Sequence, residues 1–219
     1  MPREMSEPTT TIASQVAALH KGRSSDNIWA VEQAALSRTT QTAALPLGAD
    51  FPDGELLSPT GEPTTLSATL HGSAGVIVFY RGAWCPYCNL ALATYRSRLS
   101  KALAQRGIIL VALSPQTPDG SLTMQEKHDL DFAVLSDPGN QIAGALGILT
   151  HPSVAAREAQ LEHGLDLTKI NADGTTTLPM PTVAIIDRSG KLAWIDIHPD
   201  YSTRTEPQQI LDALDQLGL

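Results

Sequence analysis

The chain's only two cysteines, Cys85 and Cys88, stand three positions apart in Phe79-Tyr80-Arg81-Gly82-Ala83-Trp84-Cys85-Pro86-Tyr87-Cys88-Asn89. A loop that short barely restricts an unfolded chain, so a structural staple is a poor reading of the pair. Half a zinc site is poorer, because no second cysteine pair exists and His151 and His163 lack metal-ligand spacing. The apolar run Val76 to Tyr80 precedes the cysteines, and a helical pattern from Leu90 follows them. Cys-x-x-Cys between a strand and a helix is a setting for thiol redox chemistry. Cys85, at the helix start, is the expected nucleophile: the attacking species is a thiolate, which the helix dipole and the unpaired N–H groups there stabilise. Pro86 suits the first helical turn. Arg81 adds positive charge nearby, and Cys88, one turn on, is placed to resolve a sulfenic acid or mixed disulfide on Cys85. Trp84 and Tyr87 either line the approach to Cys85 or cover the helix start.

Other elements must hold this stretch. Residues 11–44 show apolar spacing of three and four and predict two helices, broken at Gly22-Arg23-Ser24-Ser25-Asp26, with Ser25 or Asp26 capping the second. Trp29 is expected to anchor that second helix on the main domain. From Leu45 the texture turns to Pro, Gly and Asp, which puts a boundary between an N-terminal helical extension, 1–44, and a main domain, 45–219. Within the domain the pattern predicts a strand from Glu55, a short helix over Thr65–Leu70, a buried strand over Val76–Tyr80 and a helix over Leu90–Arg106. A buried strand over Ile108–Ser114 then closes a right-handed β-α-β unit. A helix over Thr123–Leu130, a strand over Asp131–Asp137 and a helix over Gln141–Leu146 follow. The polar stretch at about 150–178, with a helix over Val154–His163, reads as an insertion. Strands Val183–Asp187 and Leu192–Ile197 and a last amphipathic helix opened by Thr205-Glu206-Pro207 complete the chain. The order predicts an α/β, thioredoxin-like fold with a central mixed β-sheet flanked by helices.

The 219 residues carry a formal charge of −8, which disfavours nucleic acid and anionic membrane as partners, since both are bound through clustered Lys and Arg. Met1 to Pro8 has no apolar run behind it, so a cytoplasmic protein with neither leader nor membrane span is expected. The chemistry calls for no cofactor and no metal. The remaining histidines read as solvated.

From Leu45 to Leu219 the chain resembles the peroxiredoxin-like branch of the alkyl hydroperoxide reductase and thiol-specific antioxidant family. The residues that carry the resemblance are those of the cysteine stretch, Leu113-Ser114-Pro115-Gln116-Thr117, Leu135-Ser136-Asp137, Leu178-Pro179-Met180-Pro181-Thr182 and Asp200-Tyr201-Ser202-Thr203-Arg204-Thr205-Glu206-Pro207. The resemblance implies a thioredoxin fold and a thiol peroxidase in which Cys85 becomes a sulfenic acid, Cys88 resolves it and an external dithiol such as thioredoxin recycles it. It also implies a cis peptide before Pro181 beside the sulfur pair, with Thr182 next to it at the substrate. Family members ordinarily carry Pro-x-x-x-Thr-x-x-Cys and place an arginine near the thiolate from a later strand. Here Val78 and Gly82 stand at the Pro and Thr positions, and Pro181 falls where that arginine is expected. Arg204 either supplies charge to the site or pairs with Asp200 at the surface, the commoner fate of such residues. Three activities stay open: a hydroperoxide reductase, a thioredoxin-type reductase of protein disulfides, and a redox sensor or binding module that turns nothing over. A homodimer is left open as well.

Overall fold

The computed structural model describes residues 10–22, 27–38 and 45–219. Helices α1 (Ile12–His20) and α2 (Ile28–Leu36) come first. A hairpin of β1 (Glu55–Leu57) and β2 (Pro63–Thr65) leads through α3 (Leu66–Leu70) to strand β3 (Gly75–Phe79). Next come α4 (Pro86–Arg98), α5 (Ser100–Gln105), β4 (Ile109–Ser114), α6 (Pro118–Lys127), β5 (Ala133–Ser136) and α7 (Gln141–Ala145). A small excursion holds β6 (Leu149–Thr150), α8 (Val154–Glu162), α9 (Leu167–Ile170) and β7 (Leu178–Pro179). Strands β8 (Thr182–Ile186) and β9 (Leu192–Ile197) and helix α10 (Pro207–Leu217) end the chain.

Seven strands form one mixed sheet in the order β2-β1-β5-β4-β3-β8-β9. β3 lies parallel to β4 and antiparallel to β8, with Phe79 opposite both Leu113 and Thr182. Every residue of β3 is buried, as a continuous β-branched run requires when both faces are covered. One face packs Val76, Val78 and Tyr80 against Leu92 and Tyr95 of α4 and Ile210 and Leu214 of α10. The other packs Ile77 and Phe79 against Leu56, Leu66 and Ile142. This is the thioredoxin-like α/β arrangement that the order of elements predicts.

Four expectations change. The helix after the cysteines starts at Pro86 and bends at Leu99 (φ −119°, ψ −43°), a buried side chain whose turn keeps α5 on β4. The next helix starts five residues earlier than the apolar pattern suggests, because Pro118 is preorganised for a first turn and Asp119 favours its positive end. Asn27 caps α2 through its side chain, while Ser25 and Asp26 lie outside the described residues, as does Met1 to Pro8. The peptide before Pro181 is trans, for no cis bond occurs among the described residues. The extended chain there is already satisfied: Met180 donates its N–H to Ile148 O, Thr182 Oγ1 donates to Met180 O, and Pro181 O accepts from His198 N–H.

The excursion returns to its starting point, since β6 and β7 pair through Leu149–Pro179 and Thr150–Leu178. α1 packs on α4 and α2 on α8. Glu206 draws α1 down, accepting the N–H groups of Ile12 at 3.0 Å and Ala13 at 2.9 Å. Among the described residues no helix is long and apolar enough to cross a membrane.

Candidate active site

β3 delivers the chain to the site at its carboxyl end, where the six residues Tyr80 to Cys85 turn it into α4. Gly82 makes that turn at φ +146°, and a Cβ there would collide with the Trp84 indole nitrogen. The turn is braced by Gln116, which is buried: its Oε1 accepts the Ala83 N–H at 2.9 Å and its Nε2 donates to Tyr80 Oη at 2.9 Å. Asn89 ties the start of α4 back by donating to Ala83 O and Cys85 O at 2.7 and 2.8 Å. Cys85 is the N-cap of α4, and its carbonyl accepts the N–H groups of Cys88 and Asn89.

Neither sulfur is in a disulfide and both are buried, Cys85 at 1% exposure and Cys88 at 0%. Arg204, in the loop before α10, puts a guanidinium nitrogen 3.1 Å from Cys88 Sγ and 3.9 Å from Cys85 Sγ. The same guanidinium is fixed by donating to the carbonyls of Tyr201 and Thr203, both at 2.6 Å. The Arg81 guanidinium lies between two rings, 4.0 Å from the centroid of Tyr201 and 5.0 Å from that of Trp84. Two cations thus face two buried sulfurs.

The pair consequently holds one negative charge. Burial alone would raise the Cys88 thiol, but the S–H of Cys85, the Arg204 charge, the Arg81 backbone N–H and the Arg81 charge pull it down to about 5. Cys85 moves the other way: burial, the bond it gives Cys88 and the charge on Cys88 outweigh the two arginines and push it well above the ordinary thiol range. The pair therefore shares one anion, and Arg204, 3.1 Å from Cys88 Sγ against 3.9 Å from Cys85 Sγ, favours its lying toward Cys88. Arg204, which stands closer to Cys88 than to Cys85, is a charge that reasoning from the helix start alone leaves out.

Above Cys85 opens a cavity of about 230 Å³ lined by Trp29 and Gln33 of α2, the motif residues Arg81, Trp84, Pro86 and Tyr87, and Gln160, Leu165 and Tyr201. Cys85 lines it and Cys88 does not.

These features sit in a chain whose residues 47–195 match the family model described as the AhpC/TSA family. The chain belongs to the AhpC/TSA family. A curated relative from Haemophilus influenzae, "Putative peroxiredoxin bcp", is 29% identical over 131 residues, which are 60% of this chain and 83% of that protein. "Peroxiredoxin Bcp" of Bacillus subtilis is 28% identical over 102 residues, 47% of this chain and 64% of that protein. The crystal structure of peroxidoxin BcpB from Mycobacterium tuberculosis aligns with a TM-score of 0.59 at 21% identity, covering 80% of this chain and 97% of that one, and so shares the fold.

Set against the ordinary AhpC/TSA pattern, the site is built from other positions. The arginine at the sulfur pair is Arg204, held on Cys88 rather than paired with Asp200 at the surface, and Arg81 joins it. Asp200 instead accepts from the N–H and hydroxyl of Ser202. Trp84 and Tyr87 line the cavity over Cys85. Pro181 and Thr182 are buried but do not line it, and the Thr182 hydroxyl is spent on Met180 O. The histidines are not simply solvated. His20 bonds Tyr87 Oη at 2.7 Å, and His128 bonds Asn89 Oδ1 at 2.7 Å. His198 meets Asp196, Thr203 and Thr205, a knot that steadies the loop carrying Arg204.

Sequence reasoning misses Gln116, Tyr201 and the α2 contribution. The first two lie inside the motifs that carry the resemblance; Trp29 reads from the sequence as an anchor of its helix, with a ligand contact the lesser alternative, and Gln33 carries no signal, because only the fold brings α2 to Cys85.

Proposed function

We propose that this AhpC/TSA chain is a thiol-dependent peroxidase in which Cys85 is oxidised and Cys88 resolves. The observation that carries the reading is a buried sulfur pair under Arg204 that meets the cavity through Cys85 alone. The proton of Cys85 passes to Cys88 along their S–H bond, which leaves the anion on the sulfur that faces the cavity. Cys85 Sγ then attacks the terminal oxygen of a hydroperoxide. An S–O bond forms and the O–O bond breaks; sulfur loses two electrons and the peroxide gains them. Arg204 and Arg81 face the negative charge that develops on the departing alkoxide, which leaves as the alcohol with the proton held on Cys88. The Cys88 thiolate then attacks Cys85 Sγ and expels hydroxide, which takes a proton from solvent and leaves as water. An external dithiol such as thioredoxin returns the Cys85–Cys88 disulfide to the dithiol by exchange. That need for reducing thiols supports a cytoplasmic site of action.

The test is peroxide consumption by reduced protein with Cys85→Ser and Cys88→Ser variants, together with a trap for sulfenic acid. Cys88→Ser is expected to consume one equivalent and accumulate sulfenic acid, and Cys85→Ser to consume none. Equal loss in both variants overturns the assignment of roles; consumption by the wild type no faster than by free cysteine overturns the peroxidase.

A further inference from the structure

The cavity over Cys85 is far larger than hydrogen peroxide needs: about 230 Å³, against the roughly 30 Å³ that a water occupies in the liquid. Its walls are mostly ring and hydrocarbon, from Trp29, Trp84, Tyr87, Tyr201, Pro86 and Leu165. The one charged side chain among the lining residues is Arg81, already stacked between Trp84 and Tyr201. An anionic or peptide ligand would find no further charge to pair with, whereas an uncharged arene finds faces and edges on several sides.

Part of this wall comes from outside the matched family region, because Trp29 and Gln33 precede residue 47. That part is fastened rather than loosely laid. Gln33 Nε2 donates to Tyr87 Oη at 3.2 Å, and the Trp29 carbonyl accepts from Tyr201 Oη at 3.3 Å. Glu32, on the same helix and 7% exposed, accepts the Ser153 N–H at 2.9 Å at the start of α8. The Trp29 ring meets the edge of His163 at 6.4 Å between centroids. α2 is therefore a fixed side of the cavity, and its indole is held where a substrate's organic group would rest while the peroxide oxygen meets Cys85.

We propose that α2, through Trp29 and Gln33, together with Gln160 and Leu165, is a specificity-determining wall that selects compact aralkyl hydroperoxides over hydrogen peroxide. This rests on the peroxidase reading above. The wall holds the ring and leaves the reacting oxygens to Cys85 and the arginines, so its contribution falls on binding rather than on the chemical step. The bonds made and broken are those already given, the leaving alkoxide here being an aryl-substituted one.

The experiment compares cumene hydroperoxide with hydrogen peroxide in the full-length wild type, in Trp29→Ala, which strips the wall, and in Leu165→Trp, which fills the cavity. The ratio of the two kcat/KM values is expected to favour cumene hydroperoxide in the wild type and to fall roughly tenfold in both variants, through KM. Circular dichroism checks that both variants fold. Calorimetry with cumyl alcohol, the unreactive product, gives a readout without turnover: it is expected to bind the reduced wild type and to lose affinity in Leu165→Trp. An unchanged ratio in both folded variants overturns the proposal, as does cumyl alcohol that fails to bind the wild type. If cumyl alcohol binds in a wall-dependent way while neither peroxide oxidises Cys85, the wall stands and the peroxidase reading falls.

Discussion

Replacing Arg204 by methionine keeps much of the side chain's length and removes the cation that stands 3.1 Å from Cys88 Sγ. At that distance and an effective dielectric of about 20, a guanidinium and a thiolate attract by about 5 kcal/mol. At about 1.4 kcal/mol per pH unit this corresponds to nearly four units in the titration of the sulfur pair. It is a ceiling, because Arg81 still faces the pair, Cys85 still donates to Cys88, and water entering the vacated space screens what remains. We expect the thiolate midpoint to rise by about two pH units, from about 5 part of the way toward the ~8.5 of an unperturbed cysteine. The sign is that of a depressed acid: the anion is present above the midpoint and is lost as pH falls through it, near 5 in the wild type and near 7 in the variant. At pH 6 the thiolate fraction, and with it the rate of the first oxidation, should drop by about tenfold. Ultraviolet thiolate absorbance of the reduced protein across the pH range reads the midpoint, and stopped-flow oxidation reads the rate. Arg204→Lys should recover part of the effect, since a point charge remains without the planar fork. A midpoint in Arg204→Met within about half a pH unit of the wild type would refute the reasoning, for it would mean that Arg204 does not hold the charge on sulfur.

Two further perturbations address the turn that presents Cys85. Gly82→Ala forces a side chain onto a left-handed backbone and into the Trp84 indole, and should cost about 3 kcal/mol, visible as a lowered Tm together with slower peroxide consumption. An unchanged Tm would show that the turn relaxes freely. Gln116→Leu leaves the Ala83 N–H without its acceptor and Tyr80 Oη without one of its donors, with an expected loss of about 2 kcal/mol in urea unfolding. A loss below about 0.5 kcal/mol would show that another group satisfies them.

The fold was legible because its signals are local. The buried run Val76 to Phe79, Pro86 inside a helix start and the Pro207 opening of α10 each fix an element with a few neighbouring residues. Cys85, Cys88 and Arg81 were legible for the same reason, as they share one turn. Arg204 is only half legible: its motif marks it for the site, but a surface pairing with Asp200 fits the sequence as well, and only the loop from His198 to Glu206, folded over the sulfurs, decides between them. The cis expectation at Pro181 came from the family likeness and not from the residues around it, whose hydrogen bonds are met by a trans chain. The Gly82 departure from the family pattern now has a physical account, because threonine's Cβ would occupy the space of the Trp84 indole. The share of α2 in the site rests on contacts between residues far apart in sequence, such as Tyr201 with Trp29, which periodicity cannot report.

The stack of Arg81 on Trp84 gives the molecule an optical handle of its own. Two of the three tryptophans, Trp29 and Trp84, border the space over Cys85, while Trp194 lies on β9. An indole with a cation 5.0 Å from its ring centre and a sulfur anion close by emits in a field that shifts whenever charge leaves that sulfur. Each oxidation and each reduction should thus change the colour or yield of the intrinsic fluorescence, so that turnover can be followed in real time on the unlabelled protein, with Trp84→Phe separating the share of Trp84 from that of Trp29.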